Sequence, residues 1–563
     1  MGITKSIPLT HAEKRIYLTQ QLHPTSPMWN VPVSLRITLV DLERLSKSLQ
    51  LVIDQTVGLH LIFTVDNGTV GKRIDQDLQP EIEMLDFSRE GEQAYLAWAQ
   101  VQAEQPLPML DALPYRLGIA DVGDQTGYLF SIYHHILADG TSSDLVFRRV
   151  MEAYEALGRG RKIEFPQPPP LQTAFEAEQE YLESADCEAD KVYWNELFAT
   201  VPDPLNISDR PVPESMTTAS CDRRFKSRNG EALLAFCTKN RVSPFRVVLA
   251  AMYLVFSRTL RRDDIVIGTG TSNRYPKELA DSMGMYVSTS AMRLKVDGDA
   301  TFSKLVDDAS QCVRDTLVHQ RYPYDRLAVD LRERLGEVPD LVSCTLVEMV
   351  RTPYGDHTEA VIHRHGESMI SLAGFLTYPH RSQMDDTSVD LHVVYNAQMY
   401  EKWRIEELVA HIEQAVMAGI EHPDTKVRDI DFLCETERHR LIHDFNETAA
   451  DWEFETTLHQ CIADITRRYP GHIAVVYRGE SLTYTELDRR SNRMARTLMA
   501  HGAGPGKVVG LLADRSIDII VAQLAILKSG SAFMPIDAEY PDSRVQFMLE
   551  DIAAPLILTQ PRF

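Results

Sequence analysis

Between Gly127 and Tyr133 the chain reads GYLFSIY, an aromatic and β-branched run that predicts a buried strand leading straight into His134. Past Gly140, Ser142 or Ser143 is placed to cap a helix. Its apolar positions Leu145, Val146, Val150, Ala153, Tyr154 and Leu157 fall on one side, and Gly158 ends it. The segment therefore reads as strand, histidine turn, helix. Further on, Ser243-Pro244 supplies a cap and a first-turn proline. Phe245, Val248, Leu249, Met252 and Phe256 then recur at helical spacing as a core stripe, followed by Arg261-Arg262-Asp263-Asp264 and the strand-like IVIGTGTS. Both regions mix strands and helices, which predicts an α/β class.

Boundaries come from breaks in this pattern. Phe165-Pro166-Gln167-Pro168-Pro169-Pro170 has fixed φ values and few amide donors, so an extended crossover between two lobes belongs there. Near residues 430 to 455 helical sequence, ETERHRLIHDF, runs into the polar NETAADWEFETT before periodicity resumes. The expected division is 1–165 and 166–435 for two lobes, 436–455 for a linker and 456–563 for a last unit. No fixed-period repeat is present, which argues against solenoids and propellers.

At 563 residues the chain exceeds one compact core, and domains of roughly 100 to 200 residues suggest three or four units. Hydrophobic residues at 44% and charged residues at 25% indicate a folded, water-compatible chain. Lys and Arg total 58 against 81 Asp and Glu, a net charge of −23, and this field disfavours nucleic acid and anionic membrane. The basic stretch Arg223 to Arg228 is read as a solvated strand edge, with local phosphate binding as the alternative. The seven cysteines (Cys187, Cys221, Cys237, Cys312, Cys344, Cys434, Cys461) are scattered, form no CxxC pair and suggest reduced structural thiols. The N-terminus lacks a signal-peptide core, and the longest apolar run, Val247 to Phe256, is too short to span a membrane. These features predict a cytoplasmic protein.

The sharpest chemical feature is His134-His135-Ile136-Leu137-Ala138-Asp139-Gly140, at the point where the buried strand becomes a turn. A neutral imidazole on a rigid strand end can accept a proton or hold an amine by a hydrogen bond near neutral pH. Asp139 can fold back to fix the local geometry, and Gly140 permits torsions or a close approach that a side chain forbids. Adjacent histidines by themselves are more often packed or solvated structure than catalysis.

Context changes that balance. HHILADG resembles the HHxxxDG signature of the condensation domains of nonribosomal peptide synthetases, a family related in fold to chloramphenicol acetyltransferase. Other segments resemble the family's motifs in order: Leu9 to Tyr17 (LTHAEKRIY, with Glu13 where glutamine is usual), Asp190 to Trp194 (DKVYW), Ile267 to Arg274 leading to Met283 to Thr289, and His319 to Asp325 (HQRYPYD). The likeness covers about residues 8 to 435. The family's RHxxLRTxF motif departs here as Gln55 to Phe63, with His60 replacing an arginine. That arginine's role is not carried over, and His60 reads as an ordinary histidine on a helix or turn.

The resemblance implies two acetyltransferase-like lobes in a V, with the histidine motif in a tunnel between them. Thioester donor and amine acceptor would enter from opposite faces on phosphopantetheine arms. His135 would contact the acceptor amine, either as general base or by orienting it. Asp139 would act structurally through an ion pair with Arg274, His134 would pack against the turn, and Gly140 would leave room for the acceptor. The resemblance calls for no permanently bound cofactor and no metal; phosphopantetheine and acyl-coenzyme A would be substrates. Expected partners are a peptidyl carrier domain, an acyl-coenzyme A or acyl carrier protein donor, and the rest of an adenylation domain.

Leu482 to Leu487 (LTYTEL) and Leu527 to Asp537 (LKSGSAFMPID) resemble the first two adenylation motifs, which implies a partial α/β adenylation fragment in which Lys528 is structural and amino acids are not activated. An epimerisation domain would share HHxxxDG but does not normally run into an adenylation domain. Heterocyclisation domains replace the histidines with aspartates, and plant-type acyltransferases carry a DFGWG motif not found here. A non-catalytic docking domain of the same fold usually loses the histidine motif. Within the family, LTHAEKRIYLTQQLHP, GMYVSTSAMRL and HQRYPYDRL resemble lipo-initiating members, and the chain opens about eight residues before its first motif. A starter domain that acylates the first amino acid is therefore expected, with an elongating domain as the alternative. An acyl donor needs an apolar tunnel, and coenzyme A or an acyl carrier protein could deliver it despite the acidic surface if basic residues such as those at 223 to 228 line the entrance.

Overall fold

The strand Thr126–His134 is buried at all nine positions. It is the middle of a five-stranded sheet ordered Thr358–Ile362, Asn30–Thr38, Thr126–His134, Tyr115–Asp121 and Ile82–Asp86. Both faces are covered: Leu129 and Tyr133 join one apolar core with the helices Leu42–Gln55 and Gly140–Gly158. Tyr128 and Phe130 join another with Tyr95 of the helix Glu92–Ala103. A strand covered on both sides has no reason to alternate polar residues, which is why GYLFSIY reads as a continuous run. Its register puts Asn30 opposite His134, at the end of the sheet.

The chain is described from a computed structural model covering residues 6–75, 78–211, 213, 216–337, 339–351, 354–355, 357–380, 386–451 and 455–563. It has mixed α/β structure and divides into two compact units, Met1–Arg440 and Leu441–Phe563. Within the first unit a second sheet has six strands, ordered Ser288–Lys295, Asp264–Thr271, Cys344–Arg351, Leu372–Pro379, Asp390–Asn396 and Thr218–Arg224. The helix Pro244–Leu260 has Ser243 at its cap and is buried at nearly every position through Phe256. It packs on the helices Phe302–Val318 and Lys402–Glu421, so its apolar surface exceeds one stripe because it is enclosed all round.

One strand departs from the expected division of lobes at 165/166. Thr358–Ile362, from the second half of the chain, pairs antiparallel with Asn30–Thr38 and completes the first sheet. An edge strand with unpaired amides needs a cover, and a five-residue strand carries no sign of which sheet it will join. The proline-rich residues 161–170 have no regular structure, as an extended crossover requires. Arg223 and Arg224 lie on the edge strand Thr218–Arg224 and are paired with Glu413 (2.6 Å) and Asp390 (2.7 Å). That matches the strand-edge reading of this basic stretch.

In the segment read as a linker, residues 436–442 belong to the helix Glu435–Ile442, none of whose residues is buried; residues 452–454 lie outside the described residues. The second unit has its own cores, around a parallel sheet ordered Ala532–Ile536, Val508–Leu512 and Ile557–Thr559. Lys528 is held there by Asp488 (2.6 Å), Ser491 (2.9 Å) and Asn492 (2.9 Å), a structural role. All seven cysteines are unpaired. Among the described residues no helix is long and apolar enough to cross a membrane.

Candidate active site

His134 and His135 close the central strand and face different surroundings. The amide of Ile136 donates to His134 Nδ1 (3.2 Å), so the ring proton sits on Nε2, which faces Gln20 Oε1 at 3.2 Å. Burial and the neighbouring His135 push this imidazole down to about 3, so it is neutral and internally satisfied. His134 is thus a packed support of the turn.

His135 is only partly buried. Its amide donates to the Trp29 carbonyl (2.6 Å), and its ring meets the Trp29 ring edge-on at 5.9 Å. Nδ1 is sealed from solvent without a hydrogen-bond partner among the described residues. Burial is the largest influence lowering its proton affinity and Arg15 adds to it, while Asp139 and the carbonyls of His135 and Ala138 oppose it. The outcome is a neutral imidazole, the form that accepts a hydrogen bond.

The turn is locked by Asp139, which is fully buried and is the N-cap of the helix Gly140–Gly158. Its Oδ1 accepts from the Ser142 amide (2.8 Å) and from Arg274 Nη2 (2.6 Å), and its Oδ2 from the Tyr286 amide (3.3 Å). The expected Asp139–Arg274 ion pair is therefore present, with the Arg274 side chain only 6% exposed. The expected cap is corrected: Asp139, and neither Ser142 nor Ser143, caps the helix. The helix starts earlier because a carboxylate held by Arg274 also reaches the third amide of the first turn. Ser142 instead ties the lobes together, its hydroxyl 2.8 Å from the Gly284 carbonyl and accepting from the Gly284 amide at 3.1 Å. Arg274 also lies over the Tyr286 ring at 4.4 Å.

Gly140 departs from one expectation. Its φ is not positive, and a Cβ there would meet nothing within 4 Å. Neither torsion nor close packing requires glycine; the space in front of it is open.

Two flanking motifs meet each other away from the histidine turn. His319 Nδ1 lies 2.6 Å from Asp190 Oδ1, its ring stacks on Tyr193 at 3.8 Å, and Trp194 donates to its carbonyl at 3.0 Å. The opening motif supplies a capping box of Thr10 and Glu13. Glu13, in place of the usual glutamine, is paired with the buried Lys72 at 2.5 Å, which answers its charge. His60 sits in a 3₁₀ turn, 3.1 Å from the Ile53 carbonyl, as an ordinary structural histidine. A cavity beside the turn is lined by apolar Val57, Leu61, Phe63, Leu137 and Met283 together with charged Glu13, Lys72, Arg149 and Asp281. Sequence reasoning missed Trp29, a lone residue in a turn that carries no pattern. Arg15 and Gly284 lay inside quoted motifs, but their roles depend on contacts across the lobes.

Residues 3–442 match the family model "Condensation domain". The chain belongs to the condensation-domain family. Residues 462–562 match "AMP-binding enzyme", so the condensation domain is followed by part of an adenylation domain. Condensation domains of nonribosomal peptide synthetases form amide bonds by acyl transfer. Relatives include tyrocidine synthase 3 of Brevibacillus parabrevis, 28% identical over 98% of this chain and 8% of that protein. Gramicidin S synthase 2 of Brevibacillus brevis is 28% identical over 98% of this chain and 12% of that protein. The chain thus spans a small part of the length of these relatives. Among solved structures, a four-domain nonribosomal peptide synthetase bound to AMP and glycine aligns with TM-score 0.75 at 18% identity, over 100% of this chain and 44% of that one. The starter condensation domain of rhizomide synthetase, solved with C8-CoA and Leu-SNAC, aligns with TM-score 0.67 at 21% identity, over 77% of this chain and 98% of that one. At these identities the structures establish the two-lobed fold.

Proposed function

We propose that this chain joins an acyl group, delivered as a thioester, to the amine of an aminoacyl thioester on a carrier protein, and that it is a starter condensation domain whose donor is a fatty or other simple carboxylic acyl group. The observation that carries the reading is His135: a neutral imidazole on a rigid strand end, its turn clamped by Asp139 and Arg274, beside the open space at Gly140. The amine nitrogen donates to His135 and attacks the thioester carbonyl. The new C–N bond forms, the C–S bond breaks, and the surplus proton of the amine ends on the departing thiolate. Holding two reactants in line contributes at least as much as the roughly 10²- to 10⁴-fold typical of a general base. No ATP or redox cofactor is needed, because amide synthesis from a thioester is downhill.

One further point supports the starter reading: the segments at Leu9 to Pro24, Gly284 to Leu294 and His319 to Leu327 resemble lipo-initiating members of the family. The test offers the protein an aminoacyl-loaded carrier with acyl-coenzyme A in parallel with peptidyl-carrier donors, and reads the acceptor's intact mass. Acyl-coenzyme A should give product. Product from peptidyl donors alone would replace the starter reading with an elongating one. His135→Ala should remain folded and lose amide formation; full activity with native melting would overturn the assignment.

A further inference from the structure

Two arginines without carboxylate partners line one cavity of the first unit. Its wall includes the first residues of the helices His11–Leu22 and Tyr324–Leu335 and one side of the helix Thr173–Leu182, and its volume is about 60 Å³. That is far below the roughly 300 to 1,000 Å³ of a site for a whole ligand, so it suits one small group of a larger substrate.

Arg15 Nη1 donates to the Thr289 hydroxyl at 3.0 Å, and its Nε is sealed from solvent with no partner among the described residues. Arg321 donates to the Ala177 carbonyl at 3.3 Å, and its guanidinium lies over the Tyr181 ring at 4.2 Å and the Tyr275 ring at 5.3 Å. Among the described residues neither guanidinium forms an ion pair. In a chain with 81 acidic and 58 basic residues, a shortage of acids does not explain this. The two acids on the same wall are turned to His11: Glu178 accepts from the His11 amide (3.1 and 3.0 Å), and Asp325 lies 2.7 Å from His11 Nδ1. Burial is the largest influence on Arg15 and disfavours its charge, which Asp325 and Tyr324 offset only in part. A guanidinium does not lose its proton in a protein, so an enclosed one without a counter-ion favours an incoming anion.

The cavity adjoins the histidine turn. Residues 286 to 289 run from the turn to Arg15: the Tyr286 amide donates to Asp139 Oδ2 (3.3 Å), and the Thr289 hydroxyl takes Arg15 Nη1 (3.0 Å). Three residues of extended chain span at most about 10 Å. Arg15 also shares a helix with Gln20, the partner of His134 Nε2, about 7.5 Å further along the axis. Met285 and Tyr286 wall both this cavity and the one beside Leu137.

We infer that Arg15 and Arg321 form a carboxylate subsite for the side chain of the acceptor amino acid, so that an aspartyl or glutamyl acceptor is preferred to its neutral amide counterpart. This rests on the amide-forming reading above. A side-chain carboxylate stays close to its own amine, so the arginines can hold it while His135 holds the nitrogen; the phosphate of a pantetheine arm is a whole arm's length from the thioester. Paired N–H bonds of a guanidinium match the two oxygens of a carboxylate.

The test uses the full chain and the inert pantetheine amides of aspartate, glutamate, asparagine and glutamine, with calorimetry reading affinity. The better acid should bind about 10- to 100-fold more tightly than its neutral counterpart, and Arg321→Gln should bring that ratio close to one. Arg321→Lys, which keeps the charge, should retain part of it. Arg15→Gln should act in the same direction; if it does not fold, Arg321→Gln decides alone. Equal affinities in the wild type, or a ratio that Arg321→Gln leaves unchanged, would overturn the subsite. So would a preference for phosphopantetheine over pantetheine that Arg321→Gln erases without any preference for acids, because the arginines would then serve the phosphate. The corresponding thioesters, run with the donors of the test above, read kcat/KM. A chain that prefers acids in binding but forms amide with no acceptor overturns the amide-forming reading and leaves the subsite standing.

Discussion

His134 and His135 are the same residue type one position apart, and burial gives them different work. His134 has both ring nitrogens engaged inside the protein, whereas His135 keeps one nitrogen free and its ring partly exposed. The consequence for stability is a sign that can be worked out. His134 is pushed down from 6.5 to about 3 in the folded chain, so between those values the unfolded chain binds a proton that the folded one does not. Its contribution to stability is complete above pH 6.5. It is lost as the pH falls towards about 3, at about 1.4 kcal/mol per pH unit within the window. His134→Gln should flatten this part of the profile. Melting temperature followed from about pH 7 to about pH 4.5 should drop less steeply in the variant than in the wild type; parallel curves would show that His134 is not held neutral. The pair HH was legible in the sequence, but which ring is satisfied was not, because Gln20 and Trp29 come from distant positions in the chain.

At the scale of the element, the strand–turn–helix segment was legible because the core covers both faces of the strand and one side of the helix, leaving continuous and 3.6-residue patterns. The helix cap was misplaced by three or four residues. Serine is a good cap in general, and nothing local shows that Arg274, 135 residues away, holds Asp139 in the capping position. Asp139 therefore does two jobs that substitutions can separate. Asp139→Asn keeps a capping oxygen but leaves Arg274 buried without its counter-charge. Asp139→Ala loses the cap as well, about 1 kcal/mol more. Arg274→Ala leaves a buried carboxylate, and removing one member of such a pair costs about 3 to 5 kcal/mol. Denaturant unfolding should rank the wild type as most stable, then Asp139→Asn, then Asp139→Ala, with all three variants impaired in amide formation. An Asp139→Ala variant with native stability and no activity would instead assign this carboxylate a direct chemical role.

On the scale of the whole molecule, the chain has two compact units with separate cores, joined through a helix that buries nothing and a polar stretch. Brief proteolysis of the native chain should cut first between residues 443 and 456 and leave a first unit that is stable on further digestion. Intact mass of the fragments reads the site, and first cleavage inside Met1–Arg440 would overturn this division into two units. The sequence by itself determined the α/β class, the order of the family's motifs and the place of His134, His135, Asp139 and Arg274, because local periodicity and short signatures survive in one dimension. Only the tertiary structure decided that Thr358–Ile362 belongs to the first sheet, that Asp139 caps its helix while bound to Arg274, and that Glu13 is answered by Lys72. Each of these joins residues far apart in the chain, where a partner is chosen by the edge, charge or cavity left unfilled by the rest of the fold, and no local pattern records that choice.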